Sequence, residues 1–265
     1  MRVHLTRARP LRVIAPMGRR EIRLIVRALR DLLRGFRVLQ RSGPCVTVFG
    51  SARCAPGHPY YEVGREIGRR LTDLGFTVMT GGGPGLMEAV NRGAQDAGGR
   101  SVGCNIRLPM EQSPNRYLDR WAECEQFFIR KVLLCRYSYA FIALPGGFGT
   151  MDELFEVLTL VQTGKIEKFP IVMIGRAYWQ PFVDLLDRMV VEGMIDRRDV
   201  SLALVTDDLD EAMRHIEQRT AEQFGLSLIE LSRFKAQAAR LKAESLSRRK
   251  LDSRYPEISR PGLEP

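Results

Sequence analysis

Residues 144–153, LPGGFGTMDE, combine three features that could do chemistry: closely spaced glycines, a threonine and two acidic side chains. Glycines let backbone N–H groups come close to a ligand, and the start of the helix that follows offers free N–H groups and a partial positive charge. These features are typical of a phosphate-binding turn. Tight packing between a strand and a helix also uses glycines, so this turn alone leaves both interpretations open.

A second glycine-rich turn, TGGGPGLMEA at 80–89, follows an apolar segment in the same way, and a third apolar segment ends in VFGSAR at 48–53. Parallel sheets bind ligands beyond the carboxyl ends of their strands, so turns at neighbouring strand ends favour a phosphate cradle over packing alone. The residues of these turns expected around the anion are Ser51, Gly82, Gly83, Gly146, Gly147 and Gly149.

Glu153 and Glu88 place carboxylates next to these turns. An acid beside an anion site is repelled unless it has another role, such as a contact to a sugar, a water molecule or a developing cation. The spacing Thr150-x-x-Glu153 also fits a capping box, in which Thr150 caps the helix and Glu153 reaches back. The spacing therefore leaves a catalytic role and a capping role for Glu153 open.

Arg130 and Lys131 form a basic pair at the start of a predicted helix. The planar guanidinium group of arginine can grip a phosphate through two hydrogen bonds. Many such pairs instead lie on a solvated helix face, so a phosphate contact and a surface position are both open for this pair.

Several classes of protein are disfavoured because their motifs are missing. The chain has no G-x-G-x-x-G in its first turn and no G-x-x-x-x-G-K-[ST] loop, which argues against NAD enzymes and P-loop NTPases. Its five cysteines form no C-x-x-C pair and it has three histidines, so we expect neither a metal site nor a redox cofactor. No apolar run is long enough to span a membrane, and the scattered cysteines predict a cytoplasmic protein.

The net charge of +10 belongs to the ends of the 265-residue chain. Residues 1–43 hold twelve arginines and two acidic residues, whereas residues 44–225 hold 20 basic and 24 acidic residues. This distribution argues against nucleic-acid binding by the middle of the chain. The pattern of residues 19–40 predicts an amphipathic helix with an arginine-rich face. This helix is expected either to pack on the core or on a second subunit, or to bind an anionic surface.

Short apolar segments alternate with helical patterns after residue 44, which predicts an α/β fold: a Rossmann-like, doubly wound, mostly parallel sheet with helices on both faces. Strands are expected at 45–49, 76–80, 101–106, 139–144, 171–174 and 201–205. Helices are expected at 60–74, 85–97, 127–137, 151–163, 178–193, 208–223 and about 226–247. The expected domains are a basic helical extension (1–43), a Rossmann-like α/β domain (44–225) and a C-terminal helix and tail (226–265).

Three motifs resemble those of the Lonely-Guy-type phosphoribohydrolases: GGGPGLMEAVNRGA at 81–94, RK at 130–131 and PGGFGTMDE at 145–153. The last of these fulfils the family signature PGGxGTxxE, and the resemblance covers roughly residues 44–215. It implies a Rossmann-like homodimer that cleaves the N-glycosidic bond of nucleoside 5′-monophosphates to release the base and ribose 5-phosphate. The family was once labelled lysine decarboxylase, and the sequence offers no pyridoxal-phosphate site to support that label.

The resemblance also implies roles for individual residues. Arg130 and Glu153 become the catalytic pair, with the carboxylate stabilising positive charge on the ribose or positioning water. Substrate contacts are implied from Glu88, Lys131, Gly147 through Asp152, and Thr159. Asp152 stands where the family often has glutamate, and the helices outside 44–225 resemble those of an extended bacterial subgroup.

We therefore expect a homodimer or higher homo-oligomer that hydrolyses AMP or N6-modified AMP without a cofactor. Two alternatives stay open: a nucleotide carrier or sensor without turnover, and a nucleic-acid partner working through the arginine-rich helix. The apolar residues that could surround the base are Met87, Met110 and Trp121.

Overall fold

The computed structural model describes residues 18–108, 113–166, 169–226, 230–234 and 236. Its strands are β1 Cys45–Phe49, β2 Thr77–Thr80, β3 Ser101–Ile106, β4 Arg120–Cys124, β5 Ser138–Ala143, β6 Ile171–Ile174 and β7 Ala203–Thr206. Its helices are α1 Arg19–Leu39, α2 Pro59–Asp73, α3 Leu86–Asp96, α4 Phe127–Tyr137, α5 Phe148–Gln162, α6 Arg176–Val191 and α7 Leu209–Phe224. The seven strands pair in parallel in the order β4-β3-β2-β1-β5-β6-β7.

Each strand contributes side chains to both faces of the sheet, because successive residues point to opposite sides, and helices cover both faces. In β1, Cys45 and Phe49 join one core cluster, whereas Val46 and Val48 join the other. Helices α1, α4, α5 and α6 pack on the first cluster, and α2, α3 and α7 pack on the second. The prediction of a doubly wound, Rossmann-like α/β fold is confirmed.

The strand order reverses between β1 and β5. The chain runs outward from β1 to β4 on one side of the sheet, returns through α4, and continues from β5 to β7 on the other side. Such a reversal opens a crevice at the carboxyl ends of the two strands that flank it. The three turns singled out in the sequence follow β1, β2 and β5, so all of them lie at this edge.

The structure corrects the sequence-based assignment at four places, one of which is the start of α6, at Arg176 rather than at residue 178. The strand β4 was missed because only Ala122 and Cys124 are buried in this edge strand, which leaves no apolar run. The strand β7 begins at Ala203 rather than at residue 201, since residues 197–202 form a 3-10 helix. Helix α5 begins at Phe148 rather than at residue 151.

The predicted basic helix is α1, and its second half is part of the core. Asp31, Gly35 and Leu39 are buried, and the Asp31 carboxylate accepts a hydrogen bond of 2.8 Å from the backbone N–H of Glu125. The backbone at Gly35 lies so close to Leu133 of α4 that a larger residue would displace that side chain. The first half of α1 instead exposes its large apolar side chains, namely those of Ile22, Leu24, Ile25, Val26 and Leu29.

The helix predicted at about 226–247 falls largely outside the described residues. Residues 230–234 and 236 are helical, and Leu231 is buried against the second core cluster.

Candidate active site

A cavity of about 690 Å³ lies at the carboxyl edge of the sheet, where β1, β2 and β5 end. Ten of the expected site residues line it: Ser51, Gly83, Arg130, Gly146, Gly147, Phe148, Gly149, Thr150, Met151 and Glu153. Met87, proposed for the base pocket, lines it too, together with Asn105, Ile106, Leu108, Phe127 and Tyr178. Its position at the reversal of strand order is where ligands bind in this type of sheet.

The turn after β5 is fixed by hydrogen bonds on both sides. The Pro145 carbonyl accepts a hydrogen bond of 3.0 Å from the Ser51 N–H, and the Gly146 carbonyl accepts one of 2.5 Å from the Tyr178 hydroxyl. A side chain at Gly146 would overlap Thr150, so packing alone requires this glycine. The turn then enters α5, whose N-cap is Gly147.

The structure excludes the capping box that the spacing of Thr150 and Glu153 left open. Because α5 begins at Phe148, Thr150 lies inside the first turn, and its N–H donates to the Gly147 carbonyl at 3.0 Å. Glu153 lies nearly a turn further along the helix, too far from the helix start to reach back to it. The helix start is therefore not capped by a side chain.

Gly149 has no packing reason to be glycine, and the one local preference for glycine at Gly147 is its N-cap position. A Cβ at either position would meet no atom of the described residues within 4 Å, and neither has a positive φ. Glycine in the first turn of a helix lowers stability relative to alanine, by up to about 1 kcal/mol in helix interiors. Both residues line the cavity, so the space they leave open is space that a ligand could use.

The turn after β2 takes its shape from positive φ angles and from a buried polar network. Gly82 and Gly85 have φ of 73° and 71°, which glycine adopts without strain. The Asn115 side chain donates to the Gly83 carbonyl at 3.0 Å and to Asn91 Oδ1 at 2.9 Å, and the Asn115 N–H donates to the Gly82 carbonyl at 2.9 Å. Gly82 supports the turn but does not line the cavity.

Arg130 reaches the cavity from the first turn of α4. Its Nε donates to the Cys104 carbonyl at 3.0 Å, and its Nη1 lies 3.8 Å from Glu153 Oε1. Its guanidinium group also lies directly against Gly81, where any side chain would overlap it. The arginine is thus held between β3, the second glycine turn and α5.

Glu153 is a buried acid, with its side chain 5% exposed. Burial raises the pKa of Glu153 from 4.5 to about 7, although the positive charges of Arg130 and Lys131 oppose this shift. A carboxyl group with such a pKa can give or take a proton near neutral pH.

Lys131 and Asp152 lie beside the cavity but do not line it. The ammonium group of Lys131 is 2.8 Å from Asp152 Oδ1 and 2.9 Å from Glu156 Oε2. These ion pairs join α4 to α5 and so fix the relative positions of the two helices that carry Arg130 and Glu153.

Two other residues expected to contact substrate are engaged elsewhere. Glu88 accepts a hydrogen bond of 3.0 Å from the Tyr61 hydroxyl, and Thr159 donates to the Phe155 carbonyl at 2.7 Å on the exposed side of α5. Neither lines the cavity. Trp121, an apolar candidate, lies half-exposed on the edge strand β4, and Met110 lies outside the described residues.

Sequence reasoning missed Tyr178. The one feature of the sequence that could have indicated Tyr178 is its place in the chain, shortly after β6, the strand next to β5. Strand ends beside the reversal of strand order supply ligand contacts in this type of sheet.

The described part of the chain contains no cluster of three or more His, Cys, Asp or Glu side chains that could hold a metal ion. Among the described helices, none combines the length and the hydropathy that crossing a membrane requires. All five cysteines are free thiols.

The sheet order, the two helical layers and the crevice at β1 and β5 define a Rossmann-like α/β protein. The sequence profile of a family described as "Possible lysine decarboxylase" matches residues 87–216. The cytokinin riboside 5′-monophosphate phosphoribohydrolase of Rhodococcoides fascians is 30% identical over 64% of this chain and 88% of its own length. The cytokinin riboside 5′-monophosphate phosphoribohydrolase LOG of Oryza sativa subsp. japonica is 32% identical over 56% of this chain and 62% of its own length. The chain belongs to this LOG family.

Solved structures agree with the fold. A structural-genomics target determined by X-ray diffraction is 27% identical, with a TM-score of 0.50 over 66% of this chain and 99% of that chain. The molybdenum cofactor carrier protein of Chlamydomonas reinhardtii is 23% identical, with a TM-score of 0.51 over 68% of this chain and 99% of that chain. The second of these similarities concerns the fold alone.

The name lysine decarboxylase implies pyridoxal phosphate, which such enzymes bind through a lysine Schiff base. The described residues that line the cavity include no lysine. Lys131, the nearest in sequence to the site, is held in two ion pairs with Asp152 and Glu156. The described site therefore does not fit this cofactor.

Proposed function

We propose that the protein hydrolyses the N-glycosidic bond of a purine nucleoside 5′-monophosphate, AMP or N6-modified AMP, releasing the free base and ribose 5-phosphate. The observation that carries this proposal is a single cavity lined by both open glycines, Gly147 and Gly149, and by the buried acid Glu153. A phosphate at the glycines and a sugar beside Glu153 satisfy both features. The names of the relatives support the same reaction.

The phosphate would bind at the start of α5. The N–H groups that open a helix, here those ahead of the Thr150 N–H, have no carbonyl acceptor in a preceding turn, and the helix dipole favours an anion there. Gly147 and Gly149 would let the phosphate oxygens approach the backbone. Binding energy at this remote group would be used to orient the ribose for reaction.

Glu153 would act on the ribose. Hydrolysis breaks the bond between C1′ and the base nitrogen, the electron pair leaves with the base, and water adds at C1′. The transition state carries positive charge on the sugar, which an ionised carboxylate stabilises, and the same carboxylate can position or deprotonate the water. The charge of Arg130, 3.8 Å away, favours the ionised form of Glu153, and its guanidinium would also contact the phosphate or the departing base.

The apolar side of the cavity would receive the base. Met87, Ile106, Leu108 and Phe127 line this cavity and would tolerate an apolar N6 substituent. We assign the catalytic unit to residues 44–225, with 1–43 and 226–265 as its helical extensions.

The protein would act as a homo-oligomer in the cytoplasm. α1 packs on α4 at Gly35 and Leu133, and Lys131 joins α4 to α5, so the three helices lie side by side on one face of the sheet. Each exposes large apolar side chains, namely Ile25 and Leu29 of α1, Phe128 and Val132 of α4, and Phe148 and Phe155 of α5. Apolar surface of this kind marks an interface, and we propose a second copy as the partner.

The test is base release over a panel of nucleoside monophosphates, with the matching phosphate-free nucleosides as controls. We expect at least one purine monophosphate to give free base and ribose 5-phosphate in equal amounts, and the nucleosides to react far more slowly. Tight binding of AMP without release of base from any nucleotide would refute hydrolysis and favour a carrier.

A further inference from the structure

Tyr178 holds a fixed position at the edge of the cavity. It lies in the first turn of α6, and the side chain that follows it, Trp179, is fully buried. The two rings meet edge to face with their centroids 5.1 Å apart, and Trp179 Nε1 donates to the Ile174 carbonyl at 3.1 Å. The Tyr178 ring therefore rests against a side chain that is itself anchored to β6.

The start of α6 is also packed against the turn after β5. Gly175, the N-cap of α6, has φ of 106°, and a Cβ there would lie 3.3 Å from the Pro145 ring and 3.0 Å from the Tyr60 hydroxyl. This contact brings Tyr178 within hydrogen-bonding distance of the same turn. Its hydroxyl donates to the Gly146 carbonyl at 2.5 Å.

That hydrogen bond fixes the orientation of the peptide between Gly146 and Gly147. A trans peptide is planar, so its C=O and its N–H point in opposite directions. When the hydroxyl of Tyr178 holds the Gly146 carbonyl, the direction of the Gly147 N–H is set as well. Without a Cβ on either side, a Gly–Gly peptide has little steric resistance to rotation, so this contact supplies a restraint that the sequence of the turn does not.

We propose that Tyr178 is a positioning residue for phosphate recognition: its hydroxyl keeps the Gly146 carbonyl turned away from the bound phosphate and holds the Gly147 N–H in its binding orientation. This inference rests on the proposed binding of a nucleoside 5′-monophosphate in the cavity. A carbonyl oxygen rotated toward the phosphate would repel it, so the loss of the hydroxyl affects the phosphate group specifically and leaves contacts to the base unchanged.

The test compares Tyr178→Phe with Tyr137→Phe, a matched control. The Tyr137 hydroxyl also donates to a backbone carbonyl, that of Phe36 at 3.5 Å, but Tyr137 does not line the cavity. Binding of ribose 5-phosphate and of adenosine is measured by calorimetry for the wild type and both variants, and KM and kcat are measured with AMP. Thermal unfolding checks that each variant is folded.

We expect Tyr178→Phe to weaken ribose 5-phosphate binding about tenfold, the size of one weakened hydrogen bond from the Gly147 N–H to the phosphate, and to leave adenosine binding unchanged. We expect kcat/KM for AMP to fall in parallel, because the contact to the phosphate is weakened in the transition state as well as in the bound substrate. Tyr137→Phe has wild-type affinities.

Equal affinity of Tyr178→Phe and wild type for ribose 5-phosphate would overturn the proposal, as would an equal loss of adenosine binding or no binding of ribose 5-phosphate to the wild type. If the wild type releases no base from any nucleotide but the variant still loses ribose 5-phosphate affinity, hydrolysis is refuted and the role of Tyr178 is supported.

Discussion

Glu153 is the residue on which the proposed chemistry depends, and its environment is unusual for an acid. It is buried beside Arg130, yet burial outweighs the neighbouring positive charge and raises the pKa of Glu153 to about 7. A carboxyl group kept in this state lowers the stability of the folded protein at neutral pH. Ionisable groups whose pKa is shifted at the expense of stability are concentrated at functional sites.

The pH dependence of stability tests this environment. The pKa of Glu153 is raised on folding from 4.5 to about 7, so its contribution to stability is fully present below pH 4.5 and is lost as the pH rises to 7. We expect the free energy of unfolding of the wild type, relative to Glu153→Gln, to fall by about 3 kcal/mol over this range. Urea unfolding at a series of pH values measures the difference, and two parallel curves would contradict a buried, protonated Glu153.

A substitution at Gly149 tests phosphate binding at the glycine-rich turns separately from catalysis. We expect Gly149→Ala to raise the free energy of unfolding by up to about 1 kcal/mol, because alanine is the better helix former and its Cβ meets open space. The same Cβ occupies the space assigned to the phosphate, so affinity for ribose 5-phosphate falls at least about tenfold.

Gly146→Ala is the contrasting variant for that experiment, because its Cβ overlaps Thr150 and should lower stability. Calorimetry and urea unfolding of both variants distinguish the two kinds of glycine. A Gly149→Ala protein that binds ribose 5-phosphate as tightly as the wild type would contradict phosphate binding beside Gly149.

At the scale of the elements, apolar segments predicted six of the seven strands, and helical periodicity predicted all of the helices α1 to α7. The missed strand, β4, lies at the sheet edge with only Ala122 and Cys124 buried, so its sequence carries no continuous apolar signal. The start of α5 was misplaced because Thr150 resembles a cap, whereas the chain begins the helix at Phe148 without a side-chain cap.

The docking of α1 on the core is an element-scale feature that can be tested within one helix. Asp31→Ala removes the buried carboxylate that accepts from the partly buried Glu125 N–H, and we expect a loss of about 1–3 kcal/mol in the free energy of unfolding. Arg27→Gln, the control, removes an ion pair of 3.5 Å to Glu125 whose arginine is half exposed, and should cost less than about 1 kcal/mol. Equal losses in urea unfolding would show that the buried hydrogen bond does not anchor α1.

At the scale of the whole molecule, the fold brings Arg130 and Glu153 together across 23 positions of sequence because α4 and α5 pack side by side at the carboxyl edge. The sequence predicted the glycine turns and this pair of residues, the pair through the family resemblance. It could not predict that the Tyr61 hydroxyl bonds Glu88, or that Tyr178 holds the Gly146 carbonyl, because these contacts depend on how α2 and α6 are oriented. The bond from Thr159 to the Phe155 carbonyl is instead local to α5.

Lysine substitutions on two different faces of the molecule test the proposed homo-oligomer. Val132 of α4 is 48% exposed within the proposed interface, and Val191 at the end of α6 is 75% exposed and lies outside the α1, α4 and α5 set. We expect Val132→Lys to weaken self-association on the order of 100-fold, because an unpaired charge would be buried, and Val191→Lys to leave it unchanged. Sedimentation over a range of concentrations measures both, and a monomeric wild type would contradict the interface.

The most direct test of the central claim is base release from AMP and N6-isopentenyl-AMP by Glu153→Gln, with nucleotide binding measured in parallel. The control is Glu66→Gln, an equally conservative change at a carboxylate on α2 that does not line the cavity. We predict that Glu153→Gln loses at least roughly 100-fold in kcat and keeps its affinity for AMP within about threefold, while Glu66→Gln has wild-type activity. Undiminished base release by Glu153→Gln would contradict the assignment of the reaction to this residue.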